Sequence, residues 1–278
     1  MNELALFAGA GGGILGGKLL GWRTVCAVEW EAYPASVLCA RQNDGLLPPF
    51  PIWDDVQTFD GKPWRGIVDV VSGGFPCQDI SAAGKGAGID GERSGMWGEM
   101  ARIICEVRPR FVFVENSPML TSRGLGTVLG DLASMGFDAK WGVLGAADVG
   151  ANHQRDRIWI VAKWHGQLPH AQHNRIRWWE QQQKSIKKTS EELANAKRIG
   201  WNERNNAKLE TNQTIGSTST ISIKSSLERY NWNNWSAEPD VCRVVNGVAD
   251  TMDRLKAIGN GQVPLCAATA WRILNDQN

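Results

Sequence analysis

Leu4-Ala5-Leu6-Phe7-Ala8-Gly9-Ala10-Gly11-Gly12-Gly13-Ile14 is the stretch on which the fold class of this chain turns. Four apolar residues with the length of a short strand run directly into a glycine-rich turn, and from Ile14 to Leu20 the apolar positions resume with helical spacing. Strand, glycine turn and helix open a doubly wound nucleotide-binding fold, because glycines let the backbone approach a ligand closely at a helix amino terminus. Working outward, Thr24 to Val28 form a second strand that ends at Glu29, some 18 residues beyond Gly11, where such folds set an acid against a ribose hydroxyl. A nucleoside-type cofactor fits this pattern; an ordinary exposed acid at a strand end is the plainer account of Glu29.

A second stretch, Val68 to Ser81, sets one cysteine in an unusual position. Val68, Val70 and Val71 read as a buried strand, Ser72-Gly73-Gly74 stops it, and Pro76 stiffens the backbone immediately before Cys77. The thiol is thereby displayed at the carboxyl end of a strand, the rim where open α/β sheets bind ligands. A small buried hydrophobe is the competing account. The glycine-rich, polar run from Ala82 to Gly95 beside it reads as a lid that closes over substrate, or as a surface loop.

Other groups reach the same rim. Pro48, Pro49 and Pro51 mark a loop before Ile52 to Val56, which places Asp55 level with Glu29, as an acceptor for an exocyclic amine or as a loop cap. A helix over 96–107 carries Met96, Met100, Ile103, Ile104 and Val107 on one face and stops at Pro109. Phe111 to Val114 is a buried strand that delivers Glu115 and Asn116; desolvation of a carboxyl there suits a general acid near neutral pH. A helix over 124–135 and strands at 141–144 and 158–161 continue the alternation. Arg155 and Arg157 share one face at strand spacing, as a clamp for a phosphate or carbonyl oxygen or as partners of Asp156. Val263 to Leu274 reads as a carboxyl-terminal helix, entered through Gly259-Asn260-Gly261 and packing beside the first strand.

The chain has 278 residues and a formal charge of +1. Between His170 and Tyr230 there are eleven Lys or Arg and six Asp or Glu, so this segment carries +5 and the remainder −4. That asymmetry points to a polyanion-facing module on a neutral body, or to a solvated charged surface. Six scattered cysteines with no C-x-x-C pair suggest neither zinc nor a disulfide framework, and no metal is expected. With no room for a signal peptide before Glu3 and no apolar run of roughly 18 residues, a soluble, cytoplasmic protein is expected.

Taken together, FAGAGG, Glu29-Trp30, GGFPCQ, Glu115-Asn116, Arg155-Asp156-Arg157 and Ile258-Gly259-Asn260-Gly261 occur in the order found in the DNA (cytosine-5) methyltransferase family, which this chain resembles over residues 3–162 and 250–275. His153 stands where that family has Gln, and Ser117 where it has Val; its Arg-rich ninth motif has only Arg243 and Arg254 as remnants. The resemblance implies a Rossmann-like α/β methyltransferase sheet with a small, irregular target-recognition domain. Residues 1–164 would form the catalytic and cofactor-binding domain, 165–240 the target-recognition region, and 241–278 a segment returning to the catalytic domain.

The resemblance also implies roles. Cys77 would attack carbon 6 of a flipped-out cytosine, Glu115 would serve the ring N3, and Arg157 the 2-carbonyl, with Arg155 in support. S-adenosylmethionine would contact Phe7, Gly9, Gly11, Gly12, Glu29, Trp30, Asp55, Val56, Pro76, Asn260 and Gly261. The partner would be double-stranded DNA, with a possible cognate restriction endonuclease, and the protein a monomer. The same chemistry on RNA, a catalytically silent DNA-binding protein and a nicotinamide dehydrogenase are the rival readings.

Overall fold

In the computed structural model, the described residues are 1–76, 96–165, 253, 256–257 and 259–275, together with the backbone pairing of Ser219–Thr220. The chain alternates strand and helix: β1 (Asn2–Leu6), α1 (Gly12–Leu19), β2 (Arg23–Val28), α2 (Ala32–Asn43), β3 (Ile52–Trp53), β4 (Val70–Gly73), α3 (Met96–Val107) and β5 (Phe111–Asn116). Two helices, α4 (Leu120–Arg123) and α5 (Leu125–Ser134), lead to β6 (Phe137–Leu144), β7 (Arg157–Trp164) and β8 (Ser219–Thr220), and α6 (Pro264–Asn275) follows. The sheet order is β3-β2-β1-β4-β5-β7-β6-β8, parallel from β3 to β5, with β7 antiparallel to both of its neighbours.

Helices on both faces explain why the central strands are continuous apolar runs rather than alternating ones. On one face Leu4, Leu6, Val71, Val112 and Val114 pack with Met100, Ile103 and Ile104 of α3 and Val128 and Leu132 of α5. On the other, Phe111, Phe113 and Trp159 meet Ala267, Ala270 and Trp271 of α6, while Ala5, Ala27 and Ile14 join Leu38 of α2. Among the described residues no helix is long and apolar enough to cross a membrane.

Two sequence expectations change in detail. The strand expected to stop at Ser72 continues through Gly73, which pairs with Leu6 on one side and Val114 on the other. A Cβ at Gly73 would lie 2.7 Å from the carbonyl oxygen of Leu6, so the glycine permits the close approach that keeps the ladder going. The helix expected over 124–135 is present as α5, and Gly124, whose φ of 153° suits glycine, separates it from the preceding short helix α4. Finally, α6 packs on α1 and across β6 and β7 rather than beside the first strand. Small residues allow that contact: a Cβ at Gly16 would stand 2.7 Å from that of Ala267.

Candidate active site

The sheet topology explains why distant residues meet. β1 to β5 are parallel, so Phe7, Glu29, Asp55, Gly74 and Glu115 all lie at or just beyond their carboxyl ends. β7 runs the other way, so it contributes its first residue, Arg157, to the same rim; Glu115 pairs with Trp159, two places further on. The Arg157 Nε lies 2.8 Å from Glu115 Oε1. Behind it, Arg157 Nη1 donates to the carbonyl of Asp156 at 2.8 Å, which fixes the guanidinium plane.

Glu115 is 8% exposed. Burial raises its proton affinity above the ordinary carboxyl value, and Arg157, Arg155 and a hydrogen bond from Gln262 oppose that rise. A carboxyl balanced between desolvation and two guanidinium groups can hold or release a proton at a substrate atom.

Arg155 reaches back into the chain itself. Its Nη2 donates to the carbonyls of Gly259 and Gly261, at 2.7 and 2.6 Å, and so pins the turn that precedes α6. Desolvation and the neighbouring Arg157 lower its pKa. Asn116, next to Glu115, donates through Nδ2 to the carbonyl of Phe75 at 3.1 Å and accepts the Ser117 amide. It therefore holds the backbone just ahead of Pro76 and Cys77. Cys77 itself, the lid expected to Gly95, and Arg243, Arg254 and Ile258 lie outside the described residues. So does the segment 165–240, apart from His165 and the pairing of Ser219–Thr220 with Lys140 and Trp141.

A cleft opens between β1, β4 and the turn before α6, lined by Phe7, Gly9, Gly73, Glu115, Asn260 and Gln262, among others. Phe7 has φ of 52°, a left-handed conformation rare for a bulky residue and typical of functional sites. Gly9, at φ 54°, has open space where a Cβ would be, and its amide donates to Glu29 Oε2 at 2.7 Å. The other Glu29 oxygen accepts the Glu31 amide; burial still raises its pKa. Trp30 is 74% exposed, and Asp55 Oδ1 caps the Gln57 amide. Carboxylates after β2 and β3, aromatic faces and a glycine turn form a donor and acceptor set that fits an adenosine-bearing cofactor.

The glycine turn also admits a segment that the sequence did not indicate. A Cβ at Gly12 would fall on the carbonyl of Gln262, and one at Gly13 would lie 2.6 Å from Gln262 Oε1, so these glycines admit the chain's own closing segment. Gly11, at φ 90°, supplies the turn.

Two residues were missed from the sequence. Gln262 has no signal beyond its position after Gly259-Asn260-Gly261. Arg102 was signalled by Glu99, Arg102 and Glu106 at helical spacing; it donates to the carbonyls of Val56 and Phe59 and pairs with both acids, holding the loop that carries Asp55. Among the described residues, no group of three or more His, Cys, Asp or Glu could hold a metal.

The sequence model of a protein family described as C-5 cytosine-specific DNA methylase matches residues 1–265. The type II methyltransferase M.CviJI of Paramecium bursaria Chlorella virus IL3A is 32% identical over 163 residues, 58% of this chain and 42% of the relative. The type II methyltransferase M.Eco47II of Escherichia coli is 34% identical over 170 residues, 57% of this chain and 38% of the relative. The matched region thus spans less than half the length of either relative. Among solved structures, the Entamoeba histolytica methyltransferase EhMeth superposes with a TM-score of 0.50 at 16% identity, covering 59% of this chain and 52% of that one, and shares the fold.

Proposed function

The chain belongs to the C-5 cytosine-specific DNA methylase family, and from that premise we propose that it methylates carbon 5 of a flipped-out cytosine in duplex DNA. The observation that carries the reading is the Glu115–Arg157 pair, 2.8 Å apart, at the rim of the glycine-turn cleft and one strand from the segment leading to Cys77. S-adenosylmethionine, when bound, supplies an electrophilic methyl group carried on a sulfonium. Phe7, Gly9, Gly11, Gly12, Glu29, Trp30, Asp55, Val56, Pro76, Asn260 and Gly261 would hold it.

The chemical difficulty is that cytosine carbon 5 is a poor nucleophile. Addition of the Cys77 thiolate to carbon 6 forms a C–S bond and pushes an electron pair toward carbon 5 and N3. Glu115 holds a proton at N3 as that charge develops, and Arg157 donates to the 2-carbonyl oxygen. Once carbon 5 is methylated, loss of its proton and departure of the thiolate restore the aromatic ring. Flipping the base out of the stack costs a few kcal/mol, and the glycine-rich sequence beyond Cys77 would fill the gap it leaves. Residues 165–240, basic and rich in Asn and Gln, would read the site through base edges. By analogy with the relatives' type II names, a cognate endonuclease is a candidate partner.

Tritiated-methyl transfer to duplex DNA and to transfer RNA, followed by trapping on 5-fluorocytosine duplex, tests this reading. Wild-type protein is expected to label DNA and to form a denaturant-resistant adduct, and Cys77→Ser to do neither. Labelling of RNA alone would overturn the choice of substrate. Labelling of DNA with no adduct at Cys77 would overturn the mechanism.

A further inference from the structure

Glu115 has two carboxylate oxygens, and they are held unequally. Oε1 receives the Arg157 Nε at 2.8 Å, a short charge-assisted contact, while Oε2 receives the Gln262 Nε2 at 3.4 Å. Gln262 reaches that position from the segment that Arg155 pins through the carbonyls of Gly259 and Gly261. Its remaining atoms touch the other working parts of the cleft. Its backbone carbonyl and side-chain oxygen cover Gly12 and Gly13 in the first turn of α1, and its Nε2 would lie 3.1 Å from a Cβ at Gly74. One side chain therefore joins the cofactor turn, the strand leading to Cys77 and the buried carboxyl. In a nearly dry site, a carboxylate oxygen with no donor is costly, so even a long amide contact settles how the group is oriented.

We propose that Gln262 is a positioning residue for Glu115: its amide holds Oε2 until the target base arrives, and the length of that contact lets the base displace it. The proposal rests on Glu115 serving the ring N3 of cytosine. Among the described residues, the charged and polar groups that act on Glu115 are Arg157 at the start of β7, Arg155 in the loop before it, and Gln262. A change at position 262 leaves both guanidinium groups in place, so it acts on a constant electrostatic background.

Gln262→Leu removes the donor, and Gln262→Glu places a like charge beside Oε2. Both favour the protonated form of Glu115, the second more strongly. The direct measurement is the titration of the Glu115 side-chain carboxyl by ¹³C nuclear magnetic resonance in the full chain, assigned by the signal lost in Glu115→Gln. The midpoint is expected to rise from wild type to Gln262→Leu and again to Gln262→Glu. In methyl transfer to duplex DNA, kcat is expected to fall by roughly tenfold in Gln262→Leu, with the alkaline limb of its pH profile, which reports loss of the Glu115 proton, displaced upward in the same sense and the cofactor KM changed by less than about threefold.

A Glu115 midpoint unchanged in both variants would overturn the proposal, whatever happens to activity. So would a loss that appears wholly in the cofactor KM. The titration does not depend on turnover, so displaced midpoints with no methyl transfer by wild type would support the role of Gln262 in placing Glu115 and count against the functional reading alone.

Discussion

At the scale of the residue, the least expected group is Glu3. It is a 1% exposed acid on the first strand, enclosed beneath α1 near Gly17, where it accepts the hydroxyls of Thr24 and Ser72 at 2.7 Å each. Burial pushes its pKa up to about 7 from 4.5, and the two hydroxyls only partly offset that. An acid whose pKa is higher folded than unfolded binds protons preferentially in the folded state. Its favourable contribution is therefore complete below about pH 4.5 and is lost as pH rises through about 7. The difference amounts to roughly 3 kcal/mol. Glu3→Gln keeps hydrogen-bonding groups for both hydroxyls without the charge, so its urea midpoint is expected to vary less between pH 4.5 and 8 than that of wild type. Equal slopes in the two proteins would show that Glu3 is not the titrating group. Nothing in the sequence marked Glu3, because its burial depends on the register that brings Thr24 and Ser72 to either side of it. Glu115 and Arg157, by contrast, were legible: each stands at the boundary of an apolar run, and such boundaries fall at the sheet rim.

At the scale of the element, β1, α1, β5 and α3 were readable from apolar periodicity and from the proline and glycine boundaries. What escaped was the purpose of individual glycines. The glycine turn was read as an approach for a ligand, and at Gly12 and Gly13 it also makes room for Gln262; Gly73 was read as a stop, yet it continues a strand. Periodicity reports which side of an element is apolar, but a close approach is a property of two elements and has no local signature. The contact of α1 with α6 gives a test. A methyl at Gly16 gains about 1 kcal/mol of helix propensity but would meet the Ala267 Cβ at 2.7 Å and the Pro264 carbonyl at 3.0 Å, neither of which can rotate away. Overpacking of this kind costs about 1–3 kcal/mol, so net of the propensity gain Gly16→Ala is expected to destabilise by up to about 2 kcal/mol in urea unfolding. Gly130→Ala on α5 is the control, since nothing lies within 4 Å of its added methyl and propensity alone should stabilise it by up to about 1 kcal/mol. A stabilised Gly16→Ala would mean that the two helices can move apart freely.

At the scale of the whole molecule, the two ends of the chain complete one structure. α1, encoded near the start, packs against α6, encoded near the end, and Lys256 meets Glu31, at the start of α2, at 2.8 Å on the exposed surface. The exposed ion pair contributes little; the apolar contact decides. Trp271 of α6 is 5% exposed and sits edge-on to Trp22, Phe111 and Phe113, with ring centroids 4.6, 5.3 and 5.4 Å away. We propose that residues 1–164 do not form a separable catalytic unit, because without α6 one face of β5 and β7 would lose its cover. Trp271→Ala then tests more than local packing. It is expected to cost about 3–5 kcal/mol, as deletion of a large core aromatic does. It should lower the unfolding midpoints of far-ultraviolet circular dichroism and tryptophan fluorescence together, in one transition. Two separated transitions, with most of the sheet unfolding at the wild-type midpoint, would show that the amino-terminal part stands by itself. A shared transition would mean that the turn holding Asn260 and Gln262 is only as stable as the sheet beneath it, so that the cleft and the core are lost in the same event.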